Sequence, residues 1–139
     1  MSFSGFLKII PNLDIGSIEF FAFLQHCSPI NFSIMALEIT DGNFEELVSG
    51  SEIPVMLDFW AAWCGPCRMI APFVEEMHKE FEGRALVGKV DVDANPGIAT
   101  QYLIRNIPTV LFIKNGKIAD KQVGACPKST LVNKLNALM

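Results

Sequence analysis

Two cysteines three residues apart, Cys64 and Cys67, are the residues best suited to chemistry in this sequence. An amphipathic pattern predicts a helix over 64–82, which places Cys64 at the helix N-terminus and Cys67 one turn inside. Free backbone N–H groups and the helix macrodipole favour an anion at such a terminus, and the thiolate is the nucleophilic form of cysteine. The spacing therefore predicts one attacking thiol and one resolving thiol, close enough to form a disulfide.

A Cys-x-x-Cys pair can also be two buried thiols or half of a structural zinc site. A structural zinc ion needs four ligands, and the remaining candidates are not paired at ligand spacing in the segment 35–139. Those candidates are His26, Cys27, His78 and Cys126. Because the pair follows a predicted strand and begins a predicted helix, its βαβ context favours redox chemistry over either alternative.

The elements that position the pair follow from hydrophobic periodicity, which switches between strand and helix periods from Met35 onward. The pattern predicts nine elements in the order β-α-β-α-β-α-β-β-α, over 37–39, 40–50, 53–60, 64–82, 86–92, 95–102, 109–113, 118–123 and 127–138. Thr40-Asp41 is expected to cap the first helix, Pro72 to kink the second, and Asn115-Gly116 to form a tight hairpin. The order predicts an α/β fold: a central mixed β-sheet of parallel strands plus a C-terminal antiparallel hairpin, flanked by helices on both faces.

Length and charge exclude some functions. The chain of 139 residues has the length of one domain, and its hydrophobic fraction of 50% is typical of a chain that folds. The formal net charge is -4 and the pI is about 5.1, so the basic surface that nucleic-acid binding requires is not expected.

Residues 1–34 differ in composition and are interpreted as an atypical apolar N-terminal extension to a domain over 35–139. Six of the eleven phenylalanines fall in this stretch, yet Pro11, Asp14 and Glu19 interrupt its apolar runs. The stretch therefore matches a secretory signal poorly and is not expected to span a membrane. Three interpretations stay open: translation starts at Met35, the extension is disordered, or it acts as a signal or lipoprotein segment. Cys27 has no assigned role.

The segment Trp63-Cys64-Gly65-Pro66-Cys67 resembles the active-site motif of the thioredoxin family. The resemblance covers residues 35–139 and extends to Asp58 in the preceding strand, the 90–96 segment, Ile107-Pro108-Thr109 and the 112–116 hairpin. It implies the thioredoxin fold, with Pro108 in a cis peptide bond facing Cys64.

The resemblance also implies the roles of four residues. Cys64 is the nucleophile that attacks a substrate disulfide, and Cys67 resolves the mixed disulfide. Asp58 accepts the proton of Cys67 with a pKa raised by burial, and Lys89 tunes that acid. No cofactor is bound, because NADPH and FAD act indirectly through thioredoxin reductase, which reduces the Cys64–Cys67 disulfide again.

An apolar substrate-binding surface around the cysteines is implied in the same way. Its residues are Trp60, Trp63, Gly65, Pro66, Ile107, Pro108, Gly124 and Ala125. The implied partners are thioredoxin reductase and disulfide-containing substrates of the ribonucleotide reductase, peroxiredoxin and methionine sulfoxide reductase types. A monomer with no nucleic-acid partner is expected, and Cys126 is expected to be inert.

Two other functions remain alternatives on the same fold. One is an extracytoplasmic disulfide oxidant or isomerase, and the other is a non-redox binding subunit that uses the same surface. Oxidants and isomerases usually carry histidine between the cysteines, whereas Gly65-Pro66 resembles reducing thioredoxins. The sequence therefore favours a cytoplasmic protein-disulfide reductase, with a periplasmic or membrane-attached location if residues 1–34 are a targeting segment.

Overall fold

The structure, a computed structural model, describes residues 35–139, and the interpretations of residues 1–34 lie outside the described residues. The elements are β1 Leu37–Glu38, α1 Glu45–Ser49, β2 Val55–Trp60, α2 Gly65–Glu80, β3 Leu86–Asp91, α3 Pro96–Gln101, β4 Thr109–Lys114, β5 Lys117–Val123 and α4 Lys128–Asn136. The short helix α1 has π-helical hydrogen bonding. This order confirms the predicted alternation of strands and helices.

The described strands form one five-stranded sheet in the order β1-β3-β2-β4-β5. β1, β3 and β2 are parallel, whereas β4 runs antiparallel to both β2 and β5. Asn115 and Gly116 have φ angles of 53° and 71°, so they form the predicted two-residue hairpin turn between β4 and β5. The mixed sheet is confirmed.

Side-chain alternation along β2 divides the core into two layers, one on each face of the sheet. Met56 packs with residues of α2 and α4, including Met77 and Leu135. Leu57 packs on the opposite face with residues of α1 and α3, including Ile98. Helices therefore cover both faces, as predicted.

The prediction that a side chain of Thr40-Asp41 caps α1 is wrong. No side chain caps the start of α1, and the Asp41 carboxylate instead accepts the backbone N–H groups of Gly97 and Ile98 at 3.1 and 2.8 Å. These N–H groups belong to the first turn of α3, where donors have no partner within the helix. Asp41 is thus a cap supplied from a distant part of the chain.

Helix α2 begins at Gly65 with Cys64 as its N-cap and Pro66 in its first turn. Proline suits this position because first-turn N–H groups have no partner within the helix. Pro72 lies inside the helix without ending it, and the kink expected there stays a prediction. Like the other helices within 35–139, α2 lacks the length and apolar character needed to cross a membrane.

Candidate active site

Cys64 and Cys67 form a disulfide at the junction of β2 and α2. Their Cα atoms are 5.4 Å apart, and both residues are buried. The backbone N–H of Cys67 donates to Cys64 Sγ at 3.2 Å. A first-turn donor therefore lies against Cys64 Sγ, where it would stabilise a thiolate. The predicted disulfide pair is confirmed.

Asp58, in the middle of β2, is 1% exposed, and among residues 35–139 neither carboxylate oxygen has a hydrogen-bond partner. Loss of hydration penalises the charged form, so burial raises the pKa of Asp58 to about 7, against the opposing effect of the Lys89 ammonium. The raised pKa agrees with the sequence prediction. A carboxyl that titrates near neutral pH can take up or release a proton under ordinary conditions.

A cavity of about 110 Å³ lies between Asp58 and the disulfide. Its lining includes Asp58, Cys67, Arg68 and Lys89, while the rest is largely apolar. This volume has room for water, which needs polar partners to be held. Water in the cavity would connect the buried carboxyl to the sulfur of Cys67.

Lys89 approaches the cavity from β3, the strand beside β2. Its Nζ lies 3.2 Å from Glu75 Oε1 and 5.1 Å from the centre of the Trp60 ring. The other oxygen of Glu75 accepts the backbone N–H of Ala36, which precedes β1. Glu75 thus links α2, β1 and β3 beside the buried acid.

The predicted substrate surface assembles around the cysteines. Trp60 and Ile107 pack against the cluster of Ala61 and the two cysteines. The Ile107–Pro108 bond is cis, as the resemblance implies, and the Pro108 carbonyl accepts the N–H of Gly124 at 2.8 Å. Gly124 has a φ of 85°, a conformation that favours glycine. This contact ties the 124–125 turn to the segment that packs against the disulfide.

Trp63 completes the exposed part of this surface. It is 69% exposed, and its Nε1 donates to Asp93 Oδ2 at 2.9 Å, which orients the ring beside Cys64. Gly65 and Pro66 form the first turn of α2. All eight predicted surface residues therefore lie on the segments that surround the disulfide, and their role in binding stays a prediction.

Ala125 lines a groove of about 320 Å³ together with Cys126, Met69 and Phe73. Cys126 is half-buried and forms no disulfide within the described part of the chain. Burial raises the pKa of the Cys126 thiol, against a smaller opposing effect of Lys134. A raised pKa keeps the thiol protonated and poorly nucleophilic, in agreement with the expected inert role.

Sequence reasoning missed three charged residues that complete the site: Glu75, Asp93 and Arg68. Arg68 lines the cavity and donates from Nη2 to the Ala62 carbonyl at 2.9 Å. Glu75 could have been found from spacing, because residues 67, 71 and 75 fall on one face of a helix. Asp93 carries no comparable signal, since the chain reversal after β3 decides which residue reaches Trp63.

Known proteins resemble this chain over the same range. The thioredoxin family model matches residues 35–137. The chain is 53% identical over 98 residues to "Thioredoxin M-type, chloroplastic" of Spinacia oleracea, a match that covers 70% of this chain and 54% of that protein. It is 48% identical over 99 residues to "Thioredoxin" of Chlorobaculum thiosulfatiphilum, covering 71% and 92% respectively. With "Thioredoxin" of Haemophilus influenzae the identity is 50% over 100 residues, covering 72% and 94%.

The chain thus spans about half the length of the plant relatives and nearly all of the bacterial ones. The matched range contains the disulfide, the buried acid and the surface around them, and its sheet and helices are those that the resemblance implies. The chain belongs to the thioredoxin family.

Proposed function

We propose that this protein is a protein-disulfide reductase that works through the Cys64–Cys67 dithiol and disulfide. The observation that carries the proposal is the placement of the pair. The disulfide lies at a helix N-terminus, with the Cys67 N–H on Cys64 Sγ and a buried acid across a small cavity. Relatives that share about half of the residues are named thioredoxins.

The reaction starts from the reduced protein, with Cys64 as the nucleophile. The Cys64 thiolate attacks one sulfur of a substrate disulfide, which breaks the substrate S–S bond and releases a thiolate from the substrate. A mixed disulfide then joins Cys64 to the substrate. The helix N-terminus stabilises the attacking thiolate and lies on the side from which the substrate approaches.

Cys67 resolves the mixed disulfide after losing its proton. Asp58 accepts that proton through water in the cavity, and Lys89 adjusts how readily it does so. The Cys67 thiolate then attacks Cys64, forms the Cys64–Cys67 bond and releases the second substrate sulfur as a thiolate. Two electrons have moved from the protein dithiol to the substrate disulfide, and the two substrate thiolates take up protons.

The partly exposed surface around the disulfide explains why such an enzyme accepts varied substrates. Trp63, Gly65, Pro66 and Ala125 are exposed, Trp60, Ile107 and Gly124 are half-buried, and Pro108 is buried with its carbonyl bonded to the Gly124 N–H. An extended substrate segment binds there chiefly through its backbone, which most sequences offer. The substrates are disulfide-containing proteins, of which the ribonucleotide reductase, peroxiredoxin and methionine sulfoxide reductase types are examples.

Return to the reduced state requires a partner that supplies two electrons. A thioredoxin reductase is that partner in our proposal; it passes electrons from NADPH through FAD to the Cys64–Cys67 disulfide. The protein acts as a monomer in this cycle and holds no cofactor of its own. We place it in the cytoplasm, because Gly65-Pro66 resembles the dipeptide of reducing thioredoxins.

The proposal is tested by coupled reduction of a disulfide-linked protein with NADPH and a thioredoxin reductase. Cys64→Ser should abolish turnover, and Cys67→Ser should stop after one mixed disulfide, which intact mass detects. Cys126→Ser is the matched control and should keep the parent rate. Equal turnover in the Cys64→Ser variant and the parent would overturn the proposal.

A further inference from the structure

Glu75 is a charged residue that the reaction described above does not use, and it contacts Lys89, the strand partner of Asp58. Its carboxylate bonds two groups from different strands: the Lys89 ammonium on β3 and the Ala36 N–H before β1. The Glu75 side chain is 25% exposed and that of Lys89 is 19% exposed, so both are shielded from much of the solvent. Such a pair is held in place more firmly than a freely exposed one.

The sheet register brings Lys89 close to Asp58. The two residues are direct partners in the β2–β3 ladder, so their side chains leave the same face of adjacent strands about 4.8 Å apart. A lysine in this position could extend its ammonium toward Asp58, as opposite charges attract strongly at low dielectric. Its Nζ instead lies against Glu75 and over the Trp60 ring.

We infer that Glu75 is a positioning residue of this site: it holds the Lys89 ammonium and so keeps that cation from pairing directly with Asp58. The Asp58 carboxyl is thereby left able to take up the Cys67 proton, a consequence that rests on the proposed function. Glu75 acts only through Lys89 and touches neither cysteine. The contact between Glu75 and Lys89 is a property of the folded protein, and it holds whether or not the protein turns over substrate.

Glu75 and Lys89 determine the charge near Asp58, because the other groups around it are bonded elsewhere, apolar or exposed. Cys67 and Arg68 face the cavity from α2, and the Arg68 guanidinium donates to the Ala62 carbonyl. Val110 is the β4 partner of Asp58 and is apolar. Glu38 is the β1 partner of Lys89 and is exposed.

Releasing Lys89 should therefore change Asp58 in a defined direction. In Glu75→Gln the ammonium loses its ionic partner and turns toward the buried carboxylate of Asp58 on β2, where solvent screens the attraction less than at the exposed Glu38 on β1. A cation that comes within about 4–6 Å stabilises the charged form, so the Asp58 pKa should fall by about 1 or more. Glutamine has the same shape as glutamate and still accepts the Ala36 N–H, so the fold should be kept.

The test is the pKa of Asp58, read from the chemical shift of its carboxyl carbon in the oxidised protein as pH is varied. Glu76→Gln is the matched control, because Glu76 also lies on α2 and pairs with a lysine, Lys128, at 2.7 Å on the surface. The expected result is a lower Asp58 pKa in Glu75→Gln and no change in Glu76→Gln. Glu75→Asp keeps the charge and should restore most of the parent value.

A second pair of variants shows whether Glu75 acts through the lysine. In a Lys89→Met background the cation is gone, so adding Glu75→Gln should lower the Asp58 pKa by less than half of its effect in the parent. Equal pKa values in Glu75→Gln and Glu76→Gln, or an undiminished effect in the Lys89→Met background, would overturn the inference.

The catalytic consequence is measured separately as the rate of disulfide reduction against pH. In Glu75→Gln its inflection should move to lower pH together with the Asp58 pKa. A shifted Asp58 pKa with an unchanged rate profile would refute the role of Asp58 in proton transfer, but it would not refute the positioning of Lys89 by Glu75.

Discussion

Replacing Asp58 by asparagine should change how the stability of the fold depends on pH. The folded-state pKa of Asp58 is about 7, against an ordinary value of 3.8. Below pH 3.8 Asp58 is protonated in both the folded and the unfolded protein, so its ionisation does not affect the free energy of unfolding. As pH rises from 3.8 to 7 the unfolded chain releases the proton first, so stability is lost across this window.

The size of this stability loss follows from the pKa values of Asp58 in the folded and unfolded protein. The difference between about 7 and 3.8, at about 1.4 kcal/mol for each pKa unit, corresponds to about 4 kcal/mol of lost stability above pH 7. Asparagine does not ionise, so Asp58→Asn removes this loss. The amide brings its own cost for an unmatched buried donor, roughly 1–3 kcal/mol, but that cost is the same at every pH. The change with pH therefore isolates the ionisation of Asp58.

Urea unfolding of the oxidised parent and Asp58→Asn between pH 4 and pH 8 measures the effect. The stability of the variant relative to the parent should increase by about 4 kcal/mol across this range. Glu46→Gln, at an exposed carboxyl on α1, is the control and should run parallel to the parent. A relative stability of Asp58→Asn that changes with pH no more than that of the control would refute the reasoning.

Three further effects follow from the structure. Asp58→Asn should slow reduction of a protein disulfide at neutral pH, measured by coupled NADPH oxidation, because Cys67 loses its proton acceptor; an unchanged rate would contradict the assigned role. Asp41→Ala should lower the free energy of unfolding by about 1 kcal/mol, since α3 loses its cap, while Asp41→Asn should keep most of it; equal losses in urea titrations would contradict the capping argument. Gly116→Ala should cost roughly 1–2 kcal/mol through its left-handed φ, and unaltered thermal unfolding would count against that account.

Local patterns in the sequence predicted much of the fold. Asn115-Gly116 predicted the hairpin because type I′ turns need two residues that tolerate positive φ, and the structure places both residues in that region. The run over 53–60 predicted a strand covered on both faces, whereas the burial of its single charge, Asp58, came from the family resemblance. β2 starts two residues later, at Val55, because Pro54 has no N–H to donate to the ladder.

Long-range contacts could not be predicted from local patterns in the sequence. Asp41 lies just before α1 in sequence, yet it caps α3, because folding brings the first turn of α3 against it. β4 runs antiparallel to β2, although alternating strands and helices are also compatible with a parallel crossover. The cis bond before Pro108 came from the family resemblance, since no local signal distinguishes it.

Some residues of the candidate site were predicted from the sequence, and others were not. Cys64 and Cys67 were predicted from residue type, spacing and the strand before the helix, whereas the role of Asp58 came from the family resemblance. Glu75 and Asp93 were missed because an acid on a helix or a turn resembles any solvent-exposed charge until its partner is known. Lys89 and Trp63 identify those partners only in the folded chain.

The measurement that tests the central claim most directly is a redox titration of the Cys64–Cys67 couple. The protein is equilibrated in defined thiol buffers, free thiols are alkylated, and intact mass counts them in each state. A reductase should have a potential near about -270 mV, which is the reference value for thioredoxins rather than one worked from this structure. A potential near about -120 mV would identify a disulfide oxidant and contradict the proposed function.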